Sequence, residues 1–254
     1  MTGLLTASDG EPVAVENAAA KGPFVFVCEH ASKRLPERLG TLGLPDEALG
    51  AHIAWDPGAL AVAQRLSRAL DGVLIHQRFS RLAYDCNRPP TAEGAMPAKS
   101  EVYDIPGNRD LTPKDRAERV AEIYEPFRHA LSALIRARLD AGRPTILVTM
   151  HSFTPVYFGR PRAVELGILH DADSRLADAM LLAAERSATA LAVRRNEPYG
   201  PEDGVTHTLI EHGLANGIAN VMLEVRNDLL ETEDGQDAIA DVLRGLLDES
   251  LASL

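Results

Sequence analysis

Two histidines close two apolar runs that lie far apart in the chain. The first run reads Phe24-Val25-Phe26-Val27-Cys28-Glu29-His30, and the second Thr145-Ile146-Leu147-Val148-Thr149-Met150-His151. Neutral imidazole is the commonest zinc ligand, and a catalytic zinc takes three protein ligands and leaves one position open. Two histidines at matching strand ends therefore point to one metal site built from distant segments. A third ligand is needed, and both Glu29 and Asp56 are candidates. Asp56 stands in His52-Ile53-Ala54-Trp55-Asp56-Pro57-Gly58, where on spacing alone it reads as a helix N-cap ahead of Pro57. Glu224, in Val221-Met222-Leu223-Glu224-Val225-Arg226, interrupts a third apolar run. A carboxylate there needs a partner or a task, because burying an unpaired charge is costly. The plain reading is an ion pair with Arg226; the chemical one is the general base of metal-assisted hydrolysis.

The segment Ser80-Arg81-Leu82-Ala83-Tyr84-Asp85-Cys86-Asn87-Arg88-Pro89-Pro90 gathers two Arg, one Asp and one Asn ahead of the chain's Pro-Pro pair. Arg suits a two-pronged grip on a carboxylate, and Asn adds directional donors. Asp85 could hold an Arg in place. The plainer alternative is an ion-paired surface loop.

The elements that must position these residues alternate along the chain. Strands are expected at 24–28, 73–76, 145–150, 163–169, 191–195 and 219–225, as short β-branched or apolar runs. Helices are expected at about 57–70, 174–188, 207–215 and 236–252. A long helix should start after Thr112, with Pro113 in its first turn and Asp115 closing a capping box, and run to Asp140. Pro126 must kink or split it. Residues 86–112 are dense in Pro and Gly and form a long loop, of a length that is rarely idle. Strand–helix alternation implies an α/β fold with a mostly parallel sheet and helices on both faces. In such sheets ligands bind at the carboxyl edge of the strands. Residues 1–20 are expected to be an N-terminal tail or edge segment without the pattern of a signal peptide, and residues 21–254 a single domain.

Composition narrows the function classes. The 254 residues carry a net charge of −11, which argues against a nucleic-acid partner and requires a local basic patch for any acidic substrate. The two cysteines, Cys28 and Cys86, form no CxxC pair and give no disulfide framework, so a reduced cytoplasm is expected. No apolar stretch approaches the roughly 18 residues of a membrane span, and no membrane partner is expected.

Taken together, several segments resemble the N-formylglutamate amidohydrolase family. They are Glu29-His30-Ala31-Ser32, Trp55-Asp56-Pro57-Gly58-Ala59, the run from Ser80 to Pro90, Met150-His151-Ser152, Asn196-Glu197-Pro198-Tyr199 and Leu223-Glu224-Val225-Arg226-Asn227-Asp228-Leu229. They follow the family's order over about residues 24–230. The resemblance implies a three-layer α/β/α sandwich with a mixed, mostly parallel sheet, of the phosphorylase/hydrolase-like, zinc-exopeptidase type. It implies one zinc ion on His30 and His151 and leaves the third ligand open, for which Asp56 is preferred and Glu29 is the alternative. It implies Glu224 as base and Asn87-Arg88 as a clamp on the substrate carboxylate, helped by Arg81 or Arg226. The substrate would be a small anionic N-acyl amino acid, N-formylglutamate-like; the oligomeric state stays open. The segment around His30 departs from the Pro-His-Ser-Gly type of the deformylases, so the chain looks like a sister branch. Two rivals are a Cys28-dependent amidase and a non-catalytic carboxylate- or metal-binding protein on the same scaffold.

Overall fold

The apolar runs pair side by side. In the computed structural model, which describes residues 3–187 and 189–254, a central sheet holds β1 (Val13–Glu16), β2 (Phe24–Cys28), β3 (Val73–Gln77) and β4 (Ile146–Phe153). It is completed by β5 (Leu166–Leu169), β6 (Val193–Arg195) and β7 (Asn220–Arg226). The spatial order is β1-β3-β2-β4-β7-β5-β6. The pairs β3–β2, β2–β4, β4–β7 and β5–β6 are parallel, whereas β1–β3 and β7–β5 are antiparallel. The sheet is therefore mixed and mostly parallel. Every residue of β2 and β4 is buried, which explains why both read as continuous apolar runs rather than alternating ones.

Helices cover both faces. On one side α1 (Ala59–Ala69), α4 (Arg175–Ser187) and α5 (Glu233–Leu251) pack on Phe24, Phe26, Cys28, Val148, Met150, Leu223 and Val225. In α1 the buried Ala59, Val62, Ala63 and Leu66 recur at helical spacing and form one apolar stripe. On the other side α2 (Pro113–Arg119) and α3 (Glu125–Asp140) are joined by one wide π turn, Val120–Tyr124. Ile123, Phe127, Leu131 and Ile135 there meet Val25, Val27, Leu147 and Met222 of the sheet. Pro126 is the cause of the wide turn: it has no N–H for the Glu122 carbonyl, and its ring crowds the preceding turn. The chain stays helical through it, with the Glu125 N–H reaching back to Val120 O. The expected capping box is present, Asp115 N donating to Thr112 Oγ1 at 3.2 Å and Thr112 N to Asp115 Oδ2 at 2.9 Å.

Three expectations need correction. The strand carrying His151 runs on to Phe153, so this residue sits inside its strand rather than beyond its end, while Glu224 lies within its strand as expected. The helix expected over 207–215 is a π turn, Leu209–Gly213, followed by a 3-10 turn, Leu214–Asn216. Gly213 allows this tight course, since a Cβ there would lie 2.6 Å from Asn220 Cγ. Asp56 is not the N-cap of α1. Gly58 takes that place with φ +78°, and a Cβ on it would meet Leu230 Cβ at 2.4 Å. The helix expected over 174–188 is described over Arg175–Ser187, with Ala188 outside the described residues.

Candidate active site

Register assembles the site. Glu224 of β7 pairs with His151 of β4, and Val27 of β2 pairs with Thr149, so Glu29 falls beside His151 on the other side. Glu29 continues the alternation of Val25 and Val27, which places it on the sheet face that His151 and Glu224 also occupy. His30 follows where the strand gives way to the loop. Asp56 is tied to it by the main chain, its N–H donating to His30 O at 2.9 Å. Ser152 completes the stitching, with its N–H 3.3 Å from Asp56 Oδ2 and its Oγ donating to Pro57 O at 2.8 Å.

Three side-chain atoms converge. His30 Nδ1 and His151 Nδ1 lie 3.2 and 2.9 Å from Asp56 Oδ2, and 3.2 Å from each other. All three residues are at most 3% exposed. Two ring nitrogens and a carboxylate oxygen packed this closely, out of water, are a donor set for a divalent cation, and the three residues could hold one metal ion. Their surroundings fit that use. His30 Nε2 stands 2.7 Å from Asp85 Oδ1, and His151 Nε2 stands 3.2 Å from Glu29 Oε2. A carboxylate on each outer nitrogen favours the N–H there and leaves the Nδ1 lone pair for the metal. The His151–Glu29 contact has ion-pair distance without hydrogen-bond alignment, so His151 Nε2 and both Glu29 oxygens are buried without a hydrogen bond.

The electrostatics follow from this packing. Burial works against the charge of Asp56, yet the two imidazoles outweigh it and hold the carboxyl far below its usual range. Burial likewise opposes charge on the rings, but Asp85 and Asp56 raise His30, and Glu29 and Asp56 raise His151. Asp85 is held well below its usual range by His30 and Arg81 despite burial. Glu224 differs. It is 4% exposed, its Oε2 has no hydrogen bond, and burial pushes its carboxyl up to about 7, with His151 pulling the other way. A carboxyl poised there can take up and release a proton near neutrality.

A cavity of about 400 Å³ opens over these residues. Its walls include Arg81, Asn87, Arg88, Lys99, Tyr157 and Tyr199. Arg81 spans two carboxylates, 3.4 Å from Asp56 Oδ1 and 2.8 Å from Asp85 Oδ2. Its first occupation is thus to hold the groups around His30. Asn87 uses both ends of its amide on the loop opposite, donating from Nδ2 to Val205 O and accepting from Thr208 N at 3.0 Å. Arg88 donates from Nη1 to Asp203 O at 2.7 Å and keeps Nε and Nη2 without a side-chain partner among the described residues.

Arg226 is not brought to the cavity. It pairs with Asp228 at 2.8 Å and Glu165 at 3.1 Å, so the expectation of a substrate contact is corrected: local acidic partners capture it. The plainer alternative for Glu224, an ion pair with Arg226, is not formed for the same reason. Cys28 is fully buried on the opposite sheet face among α1, α4 and α5, and burial pushes its thiol well up, which removes it as a nucleophile. Sequence reasoning missed Glu29 as the neighbour of His151, Asp85 as the partner of His30, and Tyr199 and Lys99 in the cavity wall. Asp85 and Tyr199 were within segments already singled out, but a role depends on direction, which the segments do not carry.

The model of the N-formylglutamate amidohydrolase family matches residues 22–231. Among solved structures, gene product Atu2144 of Agrobacterium tumefaciens is 57% identical, with TM-score 0.96 over 98% of both chains. The N-formylglutamate amidohydrolase of Ralstonia eutropha JMP134 is 18% identical, with TM-score 0.70 over 95% of this chain and 98% of that one, a likeness of fold. No curated protein sequence matches the chain.

Proposed function

The chain belongs to the N-formylglutamate amidohydrolase family, and on that premise we propose that it is a zinc-dependent amidohydrolase for a small N-formyl or N-acyl acidic amino acid. The family makes it a hydrolase of non-peptide carbon–nitrogen bonds. One observation carries the finer reading: His30 Nδ1, Asp56 Oδ2 and His151 Nδ1 converge within 3.2 Å, one strand away from Glu224, whose Oε2 is buried without a hydrogen bond.

His30, Asp56 and His151 would hold a zinc ion, which would supply a Lewis acid and a water of lowered pKa. Glu224 takes a proton from the attacking water and returns it to the amine nitrogen as the C–N bond breaks. The products are a carboxylic acid and a free amine. The dry wall around Glu224 raises its carboxyl and makes both transfers accessible near pH 7. Arg88, whose Nε and Nη2 have no side-chain partner among the described residues, is the cation suited to the substrate carboxylate, and Asn87 sets its position by anchoring the facing loop. Arg81 keeps Asp56 and Asp85 in place. We take residues 21–254 as the single domain, with the preceding segment adding its edge strand β1 to the sheet.

Metal analysis and turnover test the reading together. About one zinc per chain is expected, lost in His30→Ala and His151→Ala. Formate or acid release from N-formyl and N-acyl amino acids should vanish with a chelator and return with zinc. Metal-loaded protein without turnover on any of them would favour the non-catalytic alternative.

A further inference from the structure

Arg162 has no place in the mechanism above, yet its surroundings are unusual. Its guanidinium lies 4.4 Å from the ring centre of Tyr157, 4.9 Å from Tyr199 and 5.5 Å from Phe153. Three aromatic faces attract the cation. Among the described residues no carboxylate pairs with it. Nη1 donates to the Tyr199 hydroxyl at 3.1 Å and lies 3.4 Å from Thr154 O. Tyr199 and Tyr157 line the cavity, together with Phe153, whereas Arg162 stands behind them.

A phenol oxygen that accepts from Arg162 must send its own proton elsewhere. No protein acceptor takes that proton among the described residues. Burial and the nearby Glu224 keep the phenol neutral, pushing it up to about 12, while Arg162 and Arg81 pull it down. Tyr199 thus offers the cavity a hydrogen-bond donor of set direction.

We propose that Arg162 is a positioning residue for the hydrolysis: by holding the Tyr199 oxygen from behind, it aims the phenol proton at the bound substrate. The hairpin of residues 156–161 precedes Arg162, and its backbone is pinned on both sides. Its N–H donates to Pro155 O at 2.8 Å, and its carbonyl accepts from Arg226 Nη1 at 3.3 Å. Arg226 in turn is fixed by Glu165 and Asp228. The strand that carries Glu224 thereby also supports the donor in the cavity wall. Gly167 serves the same end, since a Cβ there would come 2.0 Å from Glu197 O and displace the segment that delivers Tyr199.

This inference rests on the amidohydrolase reading, so its test has two arms. In the kinetic arm Arg162→Met, Tyr199→Phe and the double variant are compared with wild type. Misplacing a contact by ~1 Å costs on the order of 10²-fold, so kcat should fall by about ten- to a hundredfold in Arg162→Met. KM should move by less than about twofold, and the double variant should be no worse than Tyr199→Phe alone. Additive losses, or a rise in KM with kcat unchanged, would mean that Arg162 only braces the hairpin, and would overturn the proposal. Arg162→Lys, which keeps the charge, should recover part of kcat. The second arm needs no substrate. With 3-fluorotyrosine at position 199, fluorine NMR follows the phenol titration, and Arg162→Met should move its midpoint upward. An unmoved midpoint overturns the proposal whatever the enzyme hydrolyses. Absence of wild-type turnover would instead sink the amidohydrolase reading, with the fluorine titration still deciding this one.

Discussion

Asp85→Asn should weaken metal binding without unfolding the protein. Asp85 is 3% exposed and has no spare oxygen. Oδ1 faces His30 Nε2 at 2.7 Å and accepts from Asn87 N at 3.0 Å, while Oδ2 accepts from Arg81 Nη2 at 2.8 Å. Asn has the same shape but one acceptor and one donor end. If its oxygen faces His30, its NH₂ is pressed against the Arg81 guanidinium, donor against donor, and a cation loses its partner. If its oxygen faces Arg81, its NH₂ meets His30 Nε2, and the ring proton must move to Nδ1, the atom aimed at the metal. Either way one charge-assisted contact of about 1.5–3 kcal/mol is lost. Loss of such an outer partner typically weakens metal affinity about 10–100-fold, or roughly 1.4–2.7 kcal/mol, in line with that contact. Competition against a chromogenic chelator gives the metal dissociation constant, and a thermal melt checks the fold. A variant that binds zinc as tightly as wild type would refute the role given to Asp85 and the Nδ1 geometry with it.

Glu224→Gln should retain metal and fold and lose roughly 10²–10⁴-fold in kcat, because the amide cannot accept the proton; near-normal turnover would reduce Glu224 to a structural residue. Arg88→Lys should lower kcat/KM for acidic substrates by roughly ten- to 150-fold, the worth of a charge-assisted contact of about 1.5–3 kcal/mol, and much less for matched carboxamides. Equal losses on the two substrates would move the carboxylate site elsewhere, with Lys99 the next cation in the wall. His212 concerns stability. Burial lowers its pKa from 6.5 to about 4, so the unfolded chain binds the proton more readily. Its contribution is complete above pH 6.5 and is lost as the pH falls through that value towards 4, up to about 3 kcal/mol in all. Urea unfolding at neutral pH and at about pH 5 should show His212→Gln losing about 2 kcal/mol less than wild type on acidification; identical losses would count against a buried neutral ring.

The sequence by itself determined most strands and covering helices and the chemical inventory. Runs such as Phe24–Cys28 and Asn220–Arg226 are apolar and β-branched enough to form only buried strands, and the stripe in Ala59–Ala69 could cover only a sheet face. Thr112, Pro113 and Asp115 specify a helix start through contacts three residues apart. Each of these signals is local, so it can be read along the chain. Residue types supplied the metal-competent histidines and the out-of-place Glu224 in the same way. The tertiary structure alone decided which groups face one another. Asp56 turns inward because Gly58 takes over the cap, and its backbone and carboxylate are bonded to His30 and Ser152. Glu29 reaches the outer nitrogen of His151 because the β2–β4 register sets them side by side on one face. Arg226 turns to Asp228 and Glu165, leaving Arg162 to act on the cavity wall. Those choices depend on register, loop course and competition among nearby charges. All three are set by residues remote in sequence, and so they arise only when the sheet closes.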